Sequence, residues 1–318
     1  MTGEGTGPDA AADVAVAAQL ACLLEVSAPK PGNVSPGRHF SDVRYEDFLA
    51  SAAAIGGPLS GAATRPLGAT IRLAVEATAR WSRTNTNLGV ILLLAPLAKA
   101  ALEKIGVGSR FRGDQAKTTP DTDFSPAKTA PDTLLHLLQS TTVEDARDVY
   151  AAIRLAAPGG LGEAATQDVK DDPTVSLLET MRLAAGRDAI AREYATGFEV
   201  TFGIGVPALE DARRDGLNWD DAVVETFLTL LAAHPDTHIS RRGGAARAQA
   251  ASRLAQIALA EGSVRSDGGR RSIEDMDRAL RDPQHIANPG ATADLTAAAI
   301  FVVLLDGGWL EPNETRRT

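Results

Sequence analysis

Apolar side chains recur three and four positions apart along most of this chain, the spacing that gathers them on one face of a helix. Val16, Leu20, Leu23 and Leu24 follow it after Pro8-Asp9, and Phe48, Ala52 and Ile55 follow it after Asp42. Leu67, Ile71, Ala74, Val75 and Thr78 do the same before the apolar run Val90 to Ala95. The pattern returns in Ile190, Tyr194, Phe198 and Thr201, in Val224, Phe227, Leu228 and Leu231, and in the Ala-rich stretch to Glu261. Strand-like alternation is nearly absent and no repeat of fixed period stands out. The prediction is an all-α fold, a single multi-helix bundle of about ten or more helices over residues 9–310. Residues 1–8 read as a disordered N-terminus, 109–132 as a mobile loop rich in Pro, Thr, Asp and Lys, and 311–318 as a polar tail.

Start and stop signals punctuate the bundle. Asp42, Asn87 and Asn218 are placed to cap helices, Thr141-x-x-Glu144 has the form of a capping box, and Pro173 and Pro207 suit first helical positions. Ser272-x-x-Asp275 opens a short helix, and Asn288-Pro289-Gly290 introduces the last one. Between the helices lie polar turns: Pro29 to Asp42, Thr84 to Gly89, Gly159 to Asp172, Asp236 to Gly244 and Asn288 to Asp294. Turns at one end of an up-and-down bundle can converge on one pocket. The turn Arg83-Thr84-Asn85-Thr86-Asn87-Leu88-Gly89 is the centre of that expectation. Asn87 would cap the next helix, Gly89 would admit a ligand close to the backbone, and the free N–H groups would face an anion such as phosphate. Glu25 lies near the last turn of the first helix, where the dipole prefers a cation, so something other than the helix should be using it.

Composition narrows the chemistry. Hydrophobic residues make up 44% and aromatic residues 4%, so the core is built from Ala, Leu and Val, which favours helix. A formal net charge of -9 argues against nucleic acid and anionic membranes as partners. Phosphorylated substrates would then need a local basic pocket or a divalent cation. The one cysteine, Cys22, reads as core packing and excludes an internal disulfide. The N-terminus lacks the pattern of a signal peptide, and the apolar runs 88–98 and 297–305 are shorter than a bilayer span. The expectation is a soluble, cytoplasmic protein, and the Ala-rich helix faces raise that of a homodimer. Asp121-x-Asp123 reads as solvated, and Pro235 between His234 and His238 spoils their helical zinc spacing. Phosphate-loop, dinucleotide and nucleophile-elbow signatures are missing, so a triphosphate would have to be held by helix termini and metal.

The polar turns carry a resemblance. Glu25 with Pro29-Lys30-Pro31-Gly32-x-Val34, Asn85-Thr86, Asp236-Thr237 with Ser240-Arg241 and the Gly243-Gly244 pair, and Pro289-Gly290 with Ala293-Asp294-Leu295 resemble, in order, the triphosphoribosyl-dephospho-coenzyme A synthases. That family is all-helical and moves the triphosphoribosyl unit of ATP to the ribose 2'-hydroxyl of 3'-dephospho-coenzyme A, releasing adenine. This chain departs from the family at Asn87-Leu88, where His-Lys is usual, at the stretched Gly37-Arg38-His39-Phe40-Ser41-Asp42, and at the extra Arg242. The departures bear on the acceptor, and a branch in pterin-linked one-carbon metabolism is one alternative.

The resemblance implies roles. Glu25, Asp168, Asp236 and Asp294 would stabilise charge on the sugar or take the proton of the attacking hydroxyl, with Asp168, Asp236 and Asp294 also holding Mg²⁺. Lys30 and Arg241 would neutralise phosphate. Asn33, His39, Asn85, Thr86, Asn87, Gly89, Thr237, Ser240 and Gly290 would complete the substrate site. Asp236 and Asp294 are equally well placed to cap helices, and Lys30 and His39 to be surface residues. A hydrolase of the same bond, like the ADP-ribosyl glycohydrolases, and a non-catalytic nucleotide binder are the remaining alternatives.

Overall fold

The computed structural model describes residues 10–111 and 126–309, so the expectations for residues 1–8, the middle of the loop with Asp121-x-Asp123, and the polar tail fall outside it. Fourteen α-helices form among these residues and no strand does. In chain order they are α1 Ala10–Ser27, α2 Tyr45–Ser60, α3 Leu67–Ala79, α4 Leu88–Phe111, α5 Pro126–Gln139, α6 Val143–Ala156 and α7 Leu177–Ala184. Then come α8 Ala189–Thr196, α9 Val206–Arg214, α10 Trp219–Ala233, α11 Thr237–Gly243, α12 Ala245–Ala260, α13 Asp267–Leu280 and α14 Gly290–Leu305. Helix α4 reaches Phe111 and α5 starts at Pro126, so residues 109–111 and 126–132, expected within the loop, are helical.

The centre is α14, whose sides are buried nearly all round and which packs against α1, α4, α9 and α10. A helix apolar on every side belongs inside the protein, and the sequence Ala297 to Val303 supplies that character. Helix α1 has the length and composition to cross a membrane, yet it packs against α2, α4, α10 and α14. It is a core helix, and it carries Cys22 inward and Glu25 to the cleft described below.

Pro96 lies inside α4 and cannot donate to the carbonyl of Leu92, four residues back. The hydroxyl of Tyr194, fully buried, donates to that carbonyl at 2.6 Å and ties α8 to α4. A defect in one helix is thus satisfied by another.

Several helix starts differ from the sequence-based reading. Arg44, not Asp42, precedes α2; there the Asp47 carboxylate accepts from the Arg44 N–H at 2.8 Å. The box before α6 is Thr142 with Asp145, one residue on, and Ser176 rather than Pro173 caps α7. Ser266 caps α13, which therefore begins before Ser272. The helix through Ile190 breaks at Gly197, whose φ is 71°, and the buried Glu193 carboxylate accepts from the N–H groups of Val200 and Thr201 after the break. Residues 237–243, expected as a turn, form the short helix α11.

Candidate active site

The five polar turns do converge. They line one cleft of about 1090 Å³, walled by residues from 25–48, 83–92, 149–191, 237–242 and 285–294. Of the residues expected at the site, Glu25, Asn33, Asn85, Thr86, Asn87, Gly89, Asp168, Thr237, Ser240, Arg241, Gly290 and Asp294 line it, whereas Lys30, His39 and Asp236 do not.

Lys30 is fully buried and turns back under the end of α1. Its ammonium donates to the carbonyls of Glu25 and Ala28 and pairs with Glu25 Oε1 at 3.0 Å. It is therefore the cation that the last turn of α1 lacks, and it holds Glu25 in place rather than offering charge to a phosphate. Gly32 makes this turn possible: its φ is 77°, and a Cβ there would press on Leu280. Its N–H donates to Asp277 Oδ1 at 2.8 Å, and Arg281 bonds both Asp277 and the Asn33 carbonyl, so α13 locks the segment.

Asp236 is buried with both carboxylate oxygens engaged. Oδ1 accepts from the Ile239 N–H at 2.9 Å, and Oδ2 accepts from the N–H and hydroxyl of Thr292, each at 2.8 Å. It caps α11 and staples that helix to the start of α14, which removes it from direct contact with substrate or metal. His39 is exposed, and its Nδ1 accepts from the Tyr45 N–H at 3.2 Å, at the start of α2.

Asp294 faces Glu25 across the cleft floor. Its carboxylate rests against Gly89, where a Cβ would overlap it. The bare Cα of Gly89 thus admits a protein carboxylate where a ligand anion was expected. Burial pushes the Asp294 carboxyl well up, the charges of Glu25, Asp236 and Asp188 push it further, and only Arg241 opposes them. The cap of α4 also differs: Asn85 Oδ1 accepts from the Leu88 N–H at 3.0 Å, while Asn87 is buried and turns its amide to the Ser51 carbonyl. The Thr86 hydroxyl meets that of Ser51 at 2.6 Å.

Around the rim, Asp168 uses both oxygens within its own turn, accepting from the N–H groups of Ala164 and Lys170, and these bonds hold its carboxyl below the usual range. Arg241 donates to the Gly159 carbonyl at 3.2 Å and lies 3.4 Å from Asp188 Oδ2. Arg242 is spent on the carbonyls of Gln284 and His285. Thr237 receives the Ala189 N–H, joining α11 to α8. Among the described residues, no group of three or more Asp, Glu, His or Cys is arranged to hold a metal ion.

Sequence reasoning missed Asp188, His238 and Asn288, all lining the cleft. Asp188 caps α8 through Oδ1, a role that hides its second oxygen's place at the site. His238 packs on Gly290, and burial beside Arg241 and Arg242 lowers its pKa to about 4. Asn288 keeps a buried Oδ1 that meets no donor among the described residues. Their signal was position alone, within or beside turns already singled out.

The chain is similar to known proteins in sequence and in fold. A curated protein of Pseudomonas putida named probable 2-(5''-triphosphoribosyl)-3'-dephosphocoenzyme-A synthase is 34% identical over 114 residues, covering 35% of this chain and 40% of that one. One of the same name from Pseudomonas paraeruginosa is 32% identical over 146 residues, covering 44% of this chain and 49% of its own. The matches thus span less than half of each relative. A crystal structure from Archaeoglobus fulgidus, provisionally assigned as a triphosphoribosyl-dephospho-coA synthase, superposes with a TM-score of 0.61 at 27% identity, over 83% of this chain and 99% of that one. The model of the CitG family, ATP:dephospho-CoA triphosphoribosyl transferase, matches residues 11–313, and the chain belongs to that family.

Proposed function

We propose that this protein transfers the 5'-triphosphoribosyl unit of ATP to the ribose 2'-hydroxyl of 3'-dephospho-coenzyme A and releases adenine. The observation that carries the reading is the pair of carboxylates, Glu25 and Asp294, on the floor of a cleft roomy enough for two nucleotide-sized ligands. Breaking the bond between the sugar's anomeric carbon and adenine N9 leaves the electron pair on adenine and positive charge on the ribose, which carboxylates stabilise. The acceptor oxygen then bonds to that carbon and loses its proton. Asp294 is the group to take it, because burial and like charges make its carboxylate a stronger base than an exposed one. Glu25, fixed by Lys30, would face the sugar's developing charge. The orphaned Asn288 oxygen would accept from a substrate hydroxyl or amine, and Arg241 would meet phosphate.

Mg²⁺ fits this scheme as an ion brought by the triphosphate, since it usually keeps its waters and needs one or two protein carboxylates. Asp188, which lines the cleft with Oδ2 3.4 Å from Arg241, would be the carboxylate to meet it. The ion would supply neutralisation of the triphosphate.

The test is adenine release from ATP and Mg²⁺, with and without 3'-dephospho-coenzyme A, with the product's mass measured. Release that depends on the acceptor, with a triphosphoribosyl mass gained by it, is the expected result. Release without any acceptor would replace the transferase with a hydrolase. Asp294→Asn should lose turnover by at least a hundredfold, the usual scale of acid-base catalysis, while keeping its melting temperature. Asp236→Asn should instead melt earlier, because its new amide would face the Thr292 N–H.

A further inference from the structure

One wall of the cleft is unlike the rest. Leu155 at the end of α6, Leu161 in the following segment and Leu183 in α7 all line it, and all three are exposed, at 49%, 41% and 54%. Large apolar side chains scattered singly on a surface need no explanation, but three bordering one cleft form a patch with a use. The patch adjoins backbone of a second kind. From Gly160 to Glu163 the chain runs outside any helix, with Gly160 and Gly162 at φ of 74° and 70°, and its N–H groups meet no acceptor among the described residues. Leu161 and Gly162 of this stretch line the cleft, so exposed leucine side chains and free amide donors share that lining. Arg241 and Arg242 pack under Gly160, so the row begins where the cleft's cationic side ends.

Resting on the transferase reading, we propose that this wall is the acceptor's docking site, and that it takes the pantetheine arm of dephospho-coenzyme A. That arm is uncharged, carries two methyl groups on one carbon, and alternates methylene segments with amides. Its methyl and methylene groups match the leucines, and its amide carbonyls match the free N–H groups. ATP has no such segment, so the wall distinguishes acceptor from donor. The acceptor's 2'-hydroxyl would then enter the cleft from the side of α6 and α7.

The experiment is steady-state kinetics on the full chain with Leu155→Ser/Leu183→Ser. KM for dephospho-coenzyme A should rise roughly tenfold from lost apolar contact, while KM for ATP stays within about twofold. Leu155→Met/Leu183→Met, which keeps apolar bulk, should restore the acceptor KM. Equal changes in both KM values, or none, would overturn the proposal, as would a change of oligomeric state in place of the KM effect, which would give the patch to a second copy. Calorimetric binding of dephospho-coenzyme A needs no turnover and separates the two ideas. A wild-type protein that binds it and makes no product sinks the transferase reading, yet loss of that binding in the serine variant would still support the docking wall. Binding indifferent to the serines would sink the wall alone, and no binding by the wild type would sink both.

Discussion

The floor of the cleft depends on a buried ion pair, and such pairs are costly to break from one side. Lys30 is 0% exposed, and its partner Glu25 is nearly so. Removing the ammonium leaves a buried carboxylate without its counter-charge, a loss on the order of 3–5 kcal/mol. Lys30→Met should therefore lower the melting temperature sharply, and adding Glu25→Gln should recover much of it without restoring turnover; thermal melts of the two variants check this. His238 gives a pH signature of known sign. Its folded pKa, about 4, lies below the ordinary 6.5, so between those values the unfolded chain binds a proton that the folded chain refuses. Stability from this residue is full above pH 6.5 and falls as the pH drops towards 4, by up to roughly 3 kcal/mol. Asp294, pushed upward, has the opposite sign: its contribution is full below the ordinary aspartate value and fades as the pH rises through its folded value. Melting curves of wild type and His238→Asn between pH 4 and 7 separate the two, with a flatter acid decline expected in the variant.

Among the elements, the seam between α4 and α14 decides the geometry of the site. Gly89 opens α4 against the Asp294 carboxylate, and a methyl group there has no room. Gly89→Ala should cost at least tenfold in turnover while the helix itself gains slightly in propensity, so activity measured beside a thermal melt would separate the two effects. Most helices were legible because a 3.6-residue apolar period is a property of sequence alone, and α3 and α10 appear where that period runs. Their first residues were less legible. Thr141 and Thr142 are both good caps, and Asp42 precedes a helix entered from Arg44; the choice follows from which carboxylate reaches which N–H in three dimensions. The site divides along the same line. Glu25 and Asp294, named from the family resemblance, both line the cleft. That Lys30 points inward and Asp236 joins two helices follows from packing against α13 and α14. Asp188 was invisible because Arg241 and Asp294, its neighbours in space, are far off in sequence.

For the whole molecule, the arrangement of charge resolves an apparent conflict. A chain of net charge -9 has been read as a handler of polyanionic substrates, and its cleft concentrates carboxylates on the floor. The basic groups stand at other levels: Lys30 lies beneath the floor, Arg242 is tied to the carbonyls of residues 284 and 285, and Arg83, Arg187 and Arg241 line the cleft. Charge is thus sorted by depth within one site, and the total says little about it. The last helix has a further bearing. Because α14 supplies both the central packing surface and Asp294, a ribosome must have made nearly all of the described chain before either can exist. Chains abandoned midway through synthesis would carry Glu25 and Gly89 without the opposing carboxylate. They would lack the paired carboxylates of the cleft and, lacking the helix that their apolar faces need, be ready substrates for proteolysis.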